Sequence, residues 1–463
     1  MIVERKFFGT NGIRGILGKD LMPDFIIEIS QSIGTYFDQG PILIGYDGRL
    51  SSPLISKLVS AGIMASGLDV MEANLTPTPA LQCAVKKLGY KGGVMITASH
   101  NPPQYNGIKV VGRDGVEISR EDEAKIERIY FDKSYRKADW KNVGNCNQEC
   151  SVIQNYIKSV LSHVDINAIK KRGFRVVLDP GNGVMAIAAP YALSSLNCKV
   201  LTINGHVDGE FPGRGAEPTP SNLSGLSDAV KSFNADVGIA YDGDGDRAIF
   251  CDEKGVIHWG DRTGALLIDY VLSKNPGALV ITTVSTSQII DFIAEKYHSK
   301  VLRTRVGSVD VSRAMIDNNA LLGLEENGGL FYAPHIQTRD GLIASVLLLE
   351  ALSSINKPLS EILDALPKFH QRKAKFDCPN EIKKLVMEEI ERKSIGRIEK
   401  IDGVKVWTDD NTWVLLRPSG TEPLIRVFGE SKDANKLDEL IDKYSSIAKD
   451  SIEKIKRCGL SKP

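Results

Sequence analysis

Short apolar runs alternate with stretches of helical periodicity along most of the chain, which is the pattern of an α/β protein. The apolar run at residues 42–45 predicts a strand, and a polar turn follows it. Ser51 or Ser52 can then cap a helix that has Pro53 at its first position. This helix repeats apolar side chains at the spacing of one buried face, at Leu54, Ile55, Leu58, Val59 and Ile63.

The same strand–turn–helix pattern returns twice. Residues 175–179 and 278–281 each predict a strand that leads through a turn into an apolar helix, the first of which extends through Ala189. Units about 100 residues apart predict three α/β domains of similar build, with mixed sheets between helices. The C-terminal part predicts a smaller α+β domain, because long charged helices at residues 380–392 and 434–456 flank two strands.

Polar stretches between these units supply the domain boundaries. An Asn- and Gln-rich stretch, a charged turn and a break that contains proline separate the units in turn. We therefore expect four domains, over residues 1–150, 151–253, 254–367 and 368–463.

The composition narrows the class of protein. The 463 residues include 58 basic and 58 acidic side chains, so the net charge is zero and bulk electrostatic binding of nucleic acid is not expected. A hydrophobic share of 42% and a charged share of 25% are those of a soluble globular protein. Seven scattered cysteines, an N-terminus without an apolar signal core and the lack of an apolar run of about 20 residues favour a cytoplasmic protein with no membrane association.

A candidate reactive serine follows the apolar run at residues 93–96, which predicts a buried strand. The next six residues are Thr-Ala-Ser-His-Asn-Pro, so Ser99 lies where a strand ends in a loop, a common position for reactive groups in α/β proteins. Asn101 and Pro102 prevent a helix from starting there and stiffen the loop. Alone, these six residues are equally consistent with a serine that only hydrogen-bonds to its own backbone.

A candidate metal site lies between two further predicted strands, at residues 237–240 and 248–250. The segment between them contains Asp-Gly-Asp-Gly-Asp, and its carboxylates would repel one another by roughly 3 kcal/mol per pair at about 5 Å in a dielectric near 20. A bound cation offsets this repulsion, and the two glycines let the backbone curl so that Asp242, Asp244 and Asp246 converge. Carboxylate oxygens without His or Cys favour Mg²⁺ over Zn²⁺.

Two other interpretations of this acidic segment remain open. An EF-hand would explain Glu253 at its twelfth position, but Arg247 stands where that loop needs glycine, and the flanking segments are predicted strands. A solvated acidic turn would need no ion. The pattern favours a divalent-metal site over both.

Three further segments carry groups suited to a sugar phosphate. Paired glutamates in residues 323–329 can accept hydrogen bonds from vicinal hydroxyls, although such pairs are more often simply exposed. Residues 417–423 follow a strand and offer Arg417, two hydroxyls and backbone N–H groups to a phosphate, with Arg426 as a second guanidinium. The alternative for this loop is a simple turn with a structural arginine. Glycines around Arg14 place its guanidinium in a flexible N-terminal loop.

The four stronger motifs fall one in each predicted domain. A reactive serine, a metal-binding segment, a hydroxyl-binding segment and a phosphate-binding segment distributed in this way predict four walls of one central cleft. The chemistry that this combination indicates is phosphoryl transfer to or from a sugar.

The chain resembles the α-D-phosphohexomutase superfamily over essentially its whole length. The resemblance rests on four motifs in the family's order and spacing, at residues 97–102, 242–247, 323–328 and 417–421. The closest similarity is to the archaeal phosphoglucomutase/phosphomannomutase type, with phosphoglucosamine mutase nearby. The family implies an isomerase that acts as an intramolecular phosphotransferase, with small-molecule sugar phosphates as its partners.

The resemblance also implies roles for individual residues. The expected catalytic residues are Ser99, carried as phosphoserine, His100, Lys109, Arg14 and Arg247, and Lys109 is a candidate in proton transfer. The expected ligands of Mg²⁺ are Asp242, Asp244, Asp246 and an oxygen of the phosphorylated Ser99. The expected substrate-binding residues are Glu325, Asn327, Gly307, Arg417, Ser419, Gly420, Thr421 and Arg426.

The implied reaction consists of two phosphoryl transfers. The phosphoserine gives its phosphoryl group to a hexose phosphate, the resulting hexose 1,6-bisphosphate turns around in the cleft, and its other phosphate returns to Ser99. Glucose and mannose phosphates are the expected substrates. The alternative is a phosphoglucosamine mutase, which converts glucosamine 6-phosphate to glucosamine 1-phosphate. A monomer and a homodimer are equally consistent with the sequence.

Three positions depart from the family pattern. Many relatives have His at the position of Gly329, bacterial relatives often have His or Asp at the position of Ser308, and Asp is common at the position of Asn11. These departures leave the general base and the sugar preference open.

Two rival classes explain less of the sequence. A phosphatase of the haloacid dehalogenase kind would use Asp242 as nucleophile, but that class requires Thr or Val where Asp246 stands, and it leaves Ser99 and Arg417 without a role. A sugar-phosphate-binding protein without turnover would be expected to have lost Ser99 or the aspartates, and all of them are present.

Overall fold

The computed structural model describes residues 6–9, 11–420 and 422–459, which form four domains, each built on one β-sheet. The expectation of three α/β domains with mixed sheets and a C-terminal α+β domain is confirmed. The exact boundaries between the domains remain a prediction.

The first two domains contain a six-stranded and a five-stranded sheet. The elements of the first domain are β1 (Ile13–Ile16), α1 (Pro23–Phe37), β2 (Ile42–Tyr46), α2 (Ser52–Ala65), β3 (Val70–Leu75), α3 (Thr78–Lys87), β4 (Gly92–Ile96), β5 (Tyr105–Gly112), α4 (Arg120–Phe131) and β6 (Cys146–Gln148). The elements of the second are α5 (Val152–Leu161), α6 (Ile166–Arg172), β7 (Arg175–Asp179), α7 (Ala189–Ser195), β8 (Lys199–Thr202), α8 (Ser224–Phe233), β9 (Val237–Tyr241), β10 (Ala248–Asp252) and β11 (Ile257–His258).

The third and fourth domains each contain a five-stranded sheet. The elements of the third are α9 (Gly260–Lys274), β12 (Leu279–Thr283), α10 (Ile289–Lys296), β13 (Lys300–Thr304), α11 (Ser308–Asp317), β14 (Leu322–Glu325), β15 (Gly329–Tyr332), β16 (Ile336–Arg339), α12 (Gly341–Ile355) and α13 (Leu359–Asp364). The elements of the fourth are β17 (His370–Asp377), α14 (Lys383–Lys393), β18 (Arg397–Glu399), β19 (Val404–Asp409), β20 (Thr412–Pro418), β21 (Leu424–Ser431) and α15 (Ala434–Gly459).

The first three sheets share one arrangement, in which parallel strands continue at one side into antiparallel strands. The strand orders are β1-β5-β4-β2-β3-β6, β11-β10-β9-β7-β8 and β13-β12-β14-β15-β16. In the second sheet, for example, β7 pairs in parallel with β8 and β9, whereas β10 is antiparallel to β9 and β11. The fourth sheet, β17-β21-β20-β19-β18, is antiparallel throughout.

The four motif loops occupy equivalent positions in these sheets. We call them the serine loop (residues 97–104, between β4 and β5), the metal loop (242–247, between β9 and β10), the sugar loop (326–328, between β14 and β15) and the phosphate loop (419–423, between β20 and β21). Each loop joins an antiparallel pair. In the first three domains the strand before the loop also pairs in parallel with its other neighbour, so the chemistry lies where the sheet changes direction.

The start of α2 differs in detail from the prediction. Ser51 occupies the cap position but makes no capping hydrogen bond, and the helix begins at Ser52. Asn106 donates to both serine hydroxyls at 2.8 and 2.9 Å, and Ser52 donates to Asp47 at 2.7 Å. The serines therefore join the helix to the serine-loop hairpin, and Leu54, expected on the buried face, is about half exposed.

The prediction of one apolar helix through Ala189 is wrong. A 3₁₀ turn over Val184–Ile187 comes first, and α7 begins only at Ala189. Ala188 between them has φ −125° and ψ −51°, and a proline follows in the first turn of α7. Proline lacks the N–H that a continuous helix would need, so the two segments stay separate.

One continuous apolar core runs through the first three domains. Side chains of α3, of α5 and β9, and of α9 and α12 belong to the same buried cluster. The fourth domain has its own core under α14 and α15, and Val284, Trp413, Leu415 and Phe428 join it to the third domain. The first three domains thus share one core, and the fourth domain contacts the third through the smaller apolar cluster. Within the residues described here, no helix is long and apolar enough to cross a membrane.

A buried lysine lies in the contact between the third and fourth domains. Nζ of Lys405 donates to the carbonyl oxygen of Val284 at 2.9 Å and lies 3.8 Å from the ring centre of Trp413. Burial, assisted by the charge of Arg303, lowers the pKa of Lys405 to about 7. The ammonium form is therefore destabilised in the folded protein.

Replacing Lys405 by Met should remove a pH dependence of stability. The folded pKa of about 7 lies below the ordinary value of 10.5, so between these pH values the unfolded chain binds more protons than the folded one. Stability of the unmodified protein therefore rises with pH across this window. We expect Lys405→Met to exceed it in melting temperature at pH 7, by a margin that shrinks near pH 10.

Thermal denaturation at both pH values measures this margin. Lys436→Met is the matched control, because the Lys436 side chain is mostly exposed and pairs with Asp409 at the surface. Two results would show that the buried ammonium does not destabilise the folded protein. One is a margin that is the same at both pH values, and the other is a Lys405→Met protein that is less stable than the unmodified protein at pH 7.

Candidate active site

Ser99 lies at the turn of the serine loop with strained backbone geometry. Its φ is 52°, in the left-handed region that non-glycine residues rarely adopt, and its side chain is fully buried. Its Oγ donates to Oδ2 of Asp242 in the metal loop at 2.8 Å and lies 3.3 Å from Nδ1 of His100. The structure thus brings the predicted serine and the first predicted carboxylate into direct contact, although they are 143 residues apart.

Arg49 holds the serine loop in this conformation, and the sequence analysis did not assign it a role. Its guanidinium lies buried under the loop and donates to four backbone carbonyl oxygens at 2.7 to 2.9 Å, those of Ser99, Asn101, Pro102 and Tyr105. Its Nε donates to Asp47 at 3.0 Å, and Asp47 also accepts from Thr97 at 2.7 Å. Burial raises the pKa of Asp47, and these partners oppose that shift. The only sequence signal was the Asp-Gly-Arg turn after β2.

The metal loop folds so that one oxygen of each aspartate lies within 4.8 Å of the others. Only one of its two glycines is needed for backbone conformation, since Gly245 has φ 79° and Gly243 does not lie in the left-handed region. Gly243 instead gives clearance, because a Cβ there would lie 2.6 Å from the carbonyl oxygen of Ser99. The sequence prediction that both glycines serve to curl the loop is therefore correct for Gly245 alone.

The oxygens of these aspartates divide into two groups. Oδ2 of Asp244 accepts from Thr78 at 2.7 Å and from Lys109 at 2.8 Å, and Oδ2 of Asp246 accepts from Arg339. Oδ1 of Asp244 and Oδ1 of Asp246 are buried and have no hydrogen-bond partner in the described part of the chain. Unpaired buried carboxylate oxygens are costly, and an all-oxygen donor set of this kind fits Mg²⁺. The residues present therefore fit the ion that the sequence predicted.

The pKa values of the carboxylates reflect their crowding. Burial, with Asp246 and Asp244 nearby, raises the pKa of Asp242 well above its ordinary value. Burial acts in the same direction on Asp244, but Lys109, Thr78 and Arg339 together outweigh it and lower the pKa of Asp244 far below its ordinary range. The carboxylates are therefore neutralised unequally, because Nζ of Lys109 lies 2.8 Å from Asp244 and 3.5 Å from Asp246.

Cationic side chains predicted to be catalytic lie around the same loop. Nε of Arg247 is 3.9 Å from Asp242 and 3.7 Å from Asp246. Arg14 donates to Asn101 of the serine loop, and burial lowers the pKa of Arg14 to about 10, so it stays charged at neutral pH.

His100 differs from these groups because it is uncharged. Burial, together with the charges of Arg247 and Arg14, lowers the pKa of His100 well below its ordinary value. Its imidazole is therefore neutral at physiological pH and is a weaker base than an exposed histidine.

The predicted hydroxyl-binding residues meet the metal loop from the third domain. Oε2 of Glu325, the last residue of β14, accepts from Nη1 of Arg339 at 2.8 Å and is buried. Oδ1 of Asn327 is also buried and lacks a hydrogen-bond partner among the residues described. Arg339, which the sequence analysis did not identify, thus lies between Glu325 and the metal loop.

Two of the three departures from the family pattern contact each other. Nδ2 of Asn11, in the N-terminal loop, donates to Oγ of Ser308 at 2.9 Å, and both side chains are buried. Ser308 begins α11 directly after Gly307, a predicted substrate-binding residue with φ 150°. The first and third domains are therefore joined at this point by a neutral pair.

The phosphate loop is engaged by protein groups. Arg417 pairs with Asp402, whose carboxylate also accepts from the backbone N–H of Val306 at 3.1 Å. Lys383 donates to the carbonyl oxygens of Ser419 and Glu422, each at 2.6 Å. These contacts tie the loop to its own domain and to Val306 of the third domain. Asp402 and Lys383 carried no recognisable sequence signal.

Three other residues of this region are expected to bind substrate. Arg426 pairs with Glu422 and is partly exposed. Gly420 follows Ser419 in the loop, whereas Thr421 lies outside the described residues.

Models of one family match most of the chain. Three regions, residues 5–137, 154–255 and 259–369, match the alpha/beta/alpha domains I, II and III of phosphoglucomutase/phosphomannomutase, and residues 374–445 match the C-terminal domain. The chain is 44% identical over 451 residues to a phosphoglucosamine/phosphogalactosamine mutase of Sulfurisphaera tokodaii, covering 96% of this chain and 99% of the relative. It is 40% identical over 444 residues to a phosphoglucomutase/phosphomannomutase of Thermococcus kodakarensis, covering 94% and 97%.

Solved structures agree with this assignment of the fold. A phosphoglucomutase/phosphomannomutase family protein from Burkholderia thailandensis is 26% identical, with a TM-score of 0.85 over 96% of this chain and 97% of its own. An Aspergillus fumigatus N-acetylphosphoglucosamine mutase, solved in complex with GlcNAc-6P and magnesium, has the same fold at 14% identity and a TM-score of 0.58 over 97% and 96% of the two chains.

Replacing Arg49 by Met should destabilise the protein by about 3–5 kcal/mol, because it leaves Asp47 as an uncompensated buried charge. Arg49→Lys should recover only part of the loss, since one ammonium cannot reach four carbonyl oxygens. Chemical denaturation measures the difference in unfolding free energy. The matched control is Arg372→Met, which removes an exposed ion pair with Asp438 and is expected to cost at most about 1 kcal/mol. Equal losses in the two variants would contradict the role given to Arg49.

Mg²⁺ should stabilise the folded protein, by about 2.7 kcal/mol when its concentration is 100 times the dissociation constant. Asp242→Asn should lose most of this gain, because an amide is a poorer ligand than a carboxylate. Melting temperatures with MgCl₂ and with a chelator test both statements. Asp269→Asn, which alters a carboxylate paired with Lys296 away from the site, is the control. A gain from Mg²⁺ that is unchanged in Asp242→Asn would place the ion elsewhere.

Proposed function

The chain belongs to the phosphoglucomutase/phosphomannomutase family, and we propose that it interconverts the 1-phosphate and the 6-phosphate of glucose, mannose or both through a phosphoserine at Ser99. The proposed intermediate and activator is hexose 1,6-bisphosphate. One observation carries the proposal. Oγ of Ser99 lies 2.8 Å from Asp242, so a buried serine of one domain meets a cluster of carboxylates of another.

Ser99 is proposed to carry the phosphoryl group between two transfers. In the first, a sugar hydroxyl loses its proton and bonds to phosphorus as the bond between phosphorus and Oγ of Ser99 breaks and Oγ gains a proton. The second transfer reverses these changes. When Ser99 is phosphorylated again, its hydroxyl proton has to leave, and the groups within reach of Oγ are Oδ2 of Asp242 at 2.8 Å and Nδ1 of His100 at 3.3 Å. Lys109, held beside Asp244, is the ammonium proposed to take part in proton transfer, and Arg14 and Arg247 stabilise the charge of the phosphoryl group.

Asp242, Asp244, Asp246 and an oxygen of the phosphorylated Ser99 are proposed to hold Mg²⁺. When bound, the ion neutralises part of the charge on the transferring phosphoryl group. Oδ1 of Asp244 and Oδ1 of Asp246 are buried without a hydrogen-bond partner among the described residues, which supports this assignment, as does the magnesium in the related Aspergillus structure.

The remaining motifs are proposed to bind the sugar and the phosphate that is not transferred. Hydroxyls would be bound by Glu325 and Asn327, with Gly307 nearby, and the distal phosphate by Arg417, Ser419, Gly420, Thr421 and Arg426. Because the bisphosphate must bind in two opposite orientations, these groups have to accept either end of the sugar. Arg417 pairs with Asp402 in this structure. If Arg417 bound the substrate phosphate instead, the fourth domain would close over the cleft and keep water from the phosphoserine.

A second candidate function is phosphoglucosamine mutase. The relative from Sulfurisphaera tokodaii, 44% identical over nearly the whole chain, is named a phosphoglucosamine/phosphogalactosamine mutase. Oδ1 of Asn11 and Oδ1 of Asn327 have no hydrogen-bond partner among the residues described and suit a donor on the sugar, which is either a hydroxyl or an ammonium group. Both candidates use the same serine and metal chemistry and differ only in the 2-substituent.

A substrate panel separates these functions. Purified protein with Mg²⁺ and a trace of the corresponding 1,6-bisphosphate is given glucose, mannose or glucosamine 6-phosphate, and ³¹P NMR follows the appearance of the 1-phosphate. We expect conversion of glucose and mannose phosphates, and expect Ser99→Ala to lose it by at least about a thousandfold, as a missing nucleophile does. Ser221→Ala, in an exposed turn of the second domain, is the control.

The outcomes of this panel are decisive. Conversion of the glucosamine compound alone would replace the first candidate by the second. Failure to convert any of the three, or full activity of Ser99→Ala, would contradict a phosphoserine mutase.

A further inference from the structure

Arg339 is a buried cation that lies between two of the loops described above. It is the last residue of β16, and its side chain is almost completely excluded from solvent. One terminal nitrogen, Nη1, donates to Glu325 at 2.8 Å, and the other, Nη2, donates to Asp246. The planar guanidinium therefore bridges a carboxylate before the sugar loop and a carboxylate of the metal loop, which belong to different domains.

Backbone hydrogen bonds join the metal loop and its flanking strand to the third domain at two further points. The N–H of Ala248, directly after the metal loop, donates to the carbonyl oxygen of Gly328 at 3.2 Å. The N–H of Gly341, two residues beyond Arg339, donates to the carbonyl oxygen of Gly245 at 3.2 Å. Arg339 thus adds a charged side-chain link to a junction that also contains these two backbone hydrogen bonds.

Position 329 must be small for this arrangement to exist. A Cβ at Gly329 would lie 2.5 Å from Cδ of Arg339 and 3.0 Å from its Cγ, and both contacts are too close. The arginine cannot swing aside easily, because both ends of its guanidinium are held by buried carboxylates. The φ of Gly329 lies outside the left-handed region, so glycine is required here for space and not for backbone conformation.

Resting on the proposed function, we propose that Arg339 is a positioning residue that holds Glu325 and Asp246 in fixed relation, and that Gly329 is present to make room for it. Sugar binding and metal binding are thereby linked, because neither carboxylate can move without displacing the other. The bidentate geometry is essential, since Lys would supply the charge but could bond to only one of the two carboxylates at a time. Arg339 does not need to touch the reacting atoms to act in this way.

Two substitutions separate the charge of Arg339 from its geometry. Arg339→Gln removes the charge, and we expect kcat/KM to fall by about tenfold or more. The same change removes a positive charge next to Asp246, so Mg²⁺ should bind at least about threefold more tightly, as Coulomb's law requires. Arg339→Lys keeps the charge and should leave Mg²⁺ affinity nearly unchanged while kcat/KM still falls by about tenfold. Mutase assays and calorimetric titration with Mg²⁺ measure these quantities.

A substitution that leaves Arg339 in the chain tests the same idea from the other side. Gly329→Ala should displace the guanidinium and lower kcat/KM, whereas Gly225→Ala, at a helical glycine with open space around it, is the matched control. In the double variant Gly329→Ala/Arg339→Ala, the methyl group at position 329 has nothing to displace. The Gly329→Ala effect should therefore be much smaller in the Arg339→Ala background than in the unmodified protein.

These measurements distinguish positioning from a general loss of structure. A purely structural defect would weaken Mg²⁺ binding in Arg339→Gln, the opposite of the expected sign. Arg313→Gln, which breaks the ion pair with Asp114 away from the loops, controls for loss of any partly buried arginine.

The inference would be overturned if Arg339→Lys or Gly329→Ala kept the kcat/KM of the unmodified protein, if Arg339→Gln bound Mg²⁺ more weakly, or if the effects of Gly329→Ala and Arg339→Ala were additive. If the unmodified protein converted no sugar phosphate, the proposed function would fail, and the Mg²⁺ titrations would still test the bridge.

Discussion

Three buried carboxylates on one short loop repel one another, and the architecture of the site follows from the need to balance them. Water is excluded from the metal loop, so neighbouring charges are screened only weakly. The balance comes from three domains, through Lys109 of the first, Arg247 of the second and Arg339 of the third. It can exist only when those domains are packed together, and the continuous core that runs through them supplies the packing.

The equivalent placement of the four loops explains how separate domains contribute to one site. In the first three domains each loop leaves the sheet at the carboxyl end of a strand with a parallel neighbour on one side and an antiparallel partner on the other. The fourth domain uses the corresponding turn of an antiparallel sheet. It contacts the third through a small apolar cluster and through hydrogen bonds that include Val306–Asp402, Lys405–Val284 and Gln288–Glu430. The fourth domain, which shares the least core with the other three, is therefore the domain proposed to move.

Sequence reasoning located the loops because their chemistry is concentrated in a few adjacent residues between apolar runs. It could not find Arg49 or Arg339, because each acts through partners far along the chain, Arg49 largely through backbone carbonyl oxygens. The cap predicted for α2 failed for a related reason, since Asn106 of a distant strand competes for both serine hydroxyls. Periodicity predicts which face is buried, whereas polar partners across the fold depend on three-dimensional packing.

The whole proposed reaction depends on Ser99 carrying phosphate beside a metal ion held by the metal loop. Electron–nuclear double resonance on protein loaded with Mn²⁺ in place of Mg²⁺ tests it most directly, because the spectrum reports phosphorus nuclei within a few ångströms of the ion. With phosphorylation of Ser99 established by peptide mass, we expect a ³¹P coupling that disappears in Ser99→Ala. Phosphorylated protein that binds Mn²⁺ without any ³¹P coupling would contradict it.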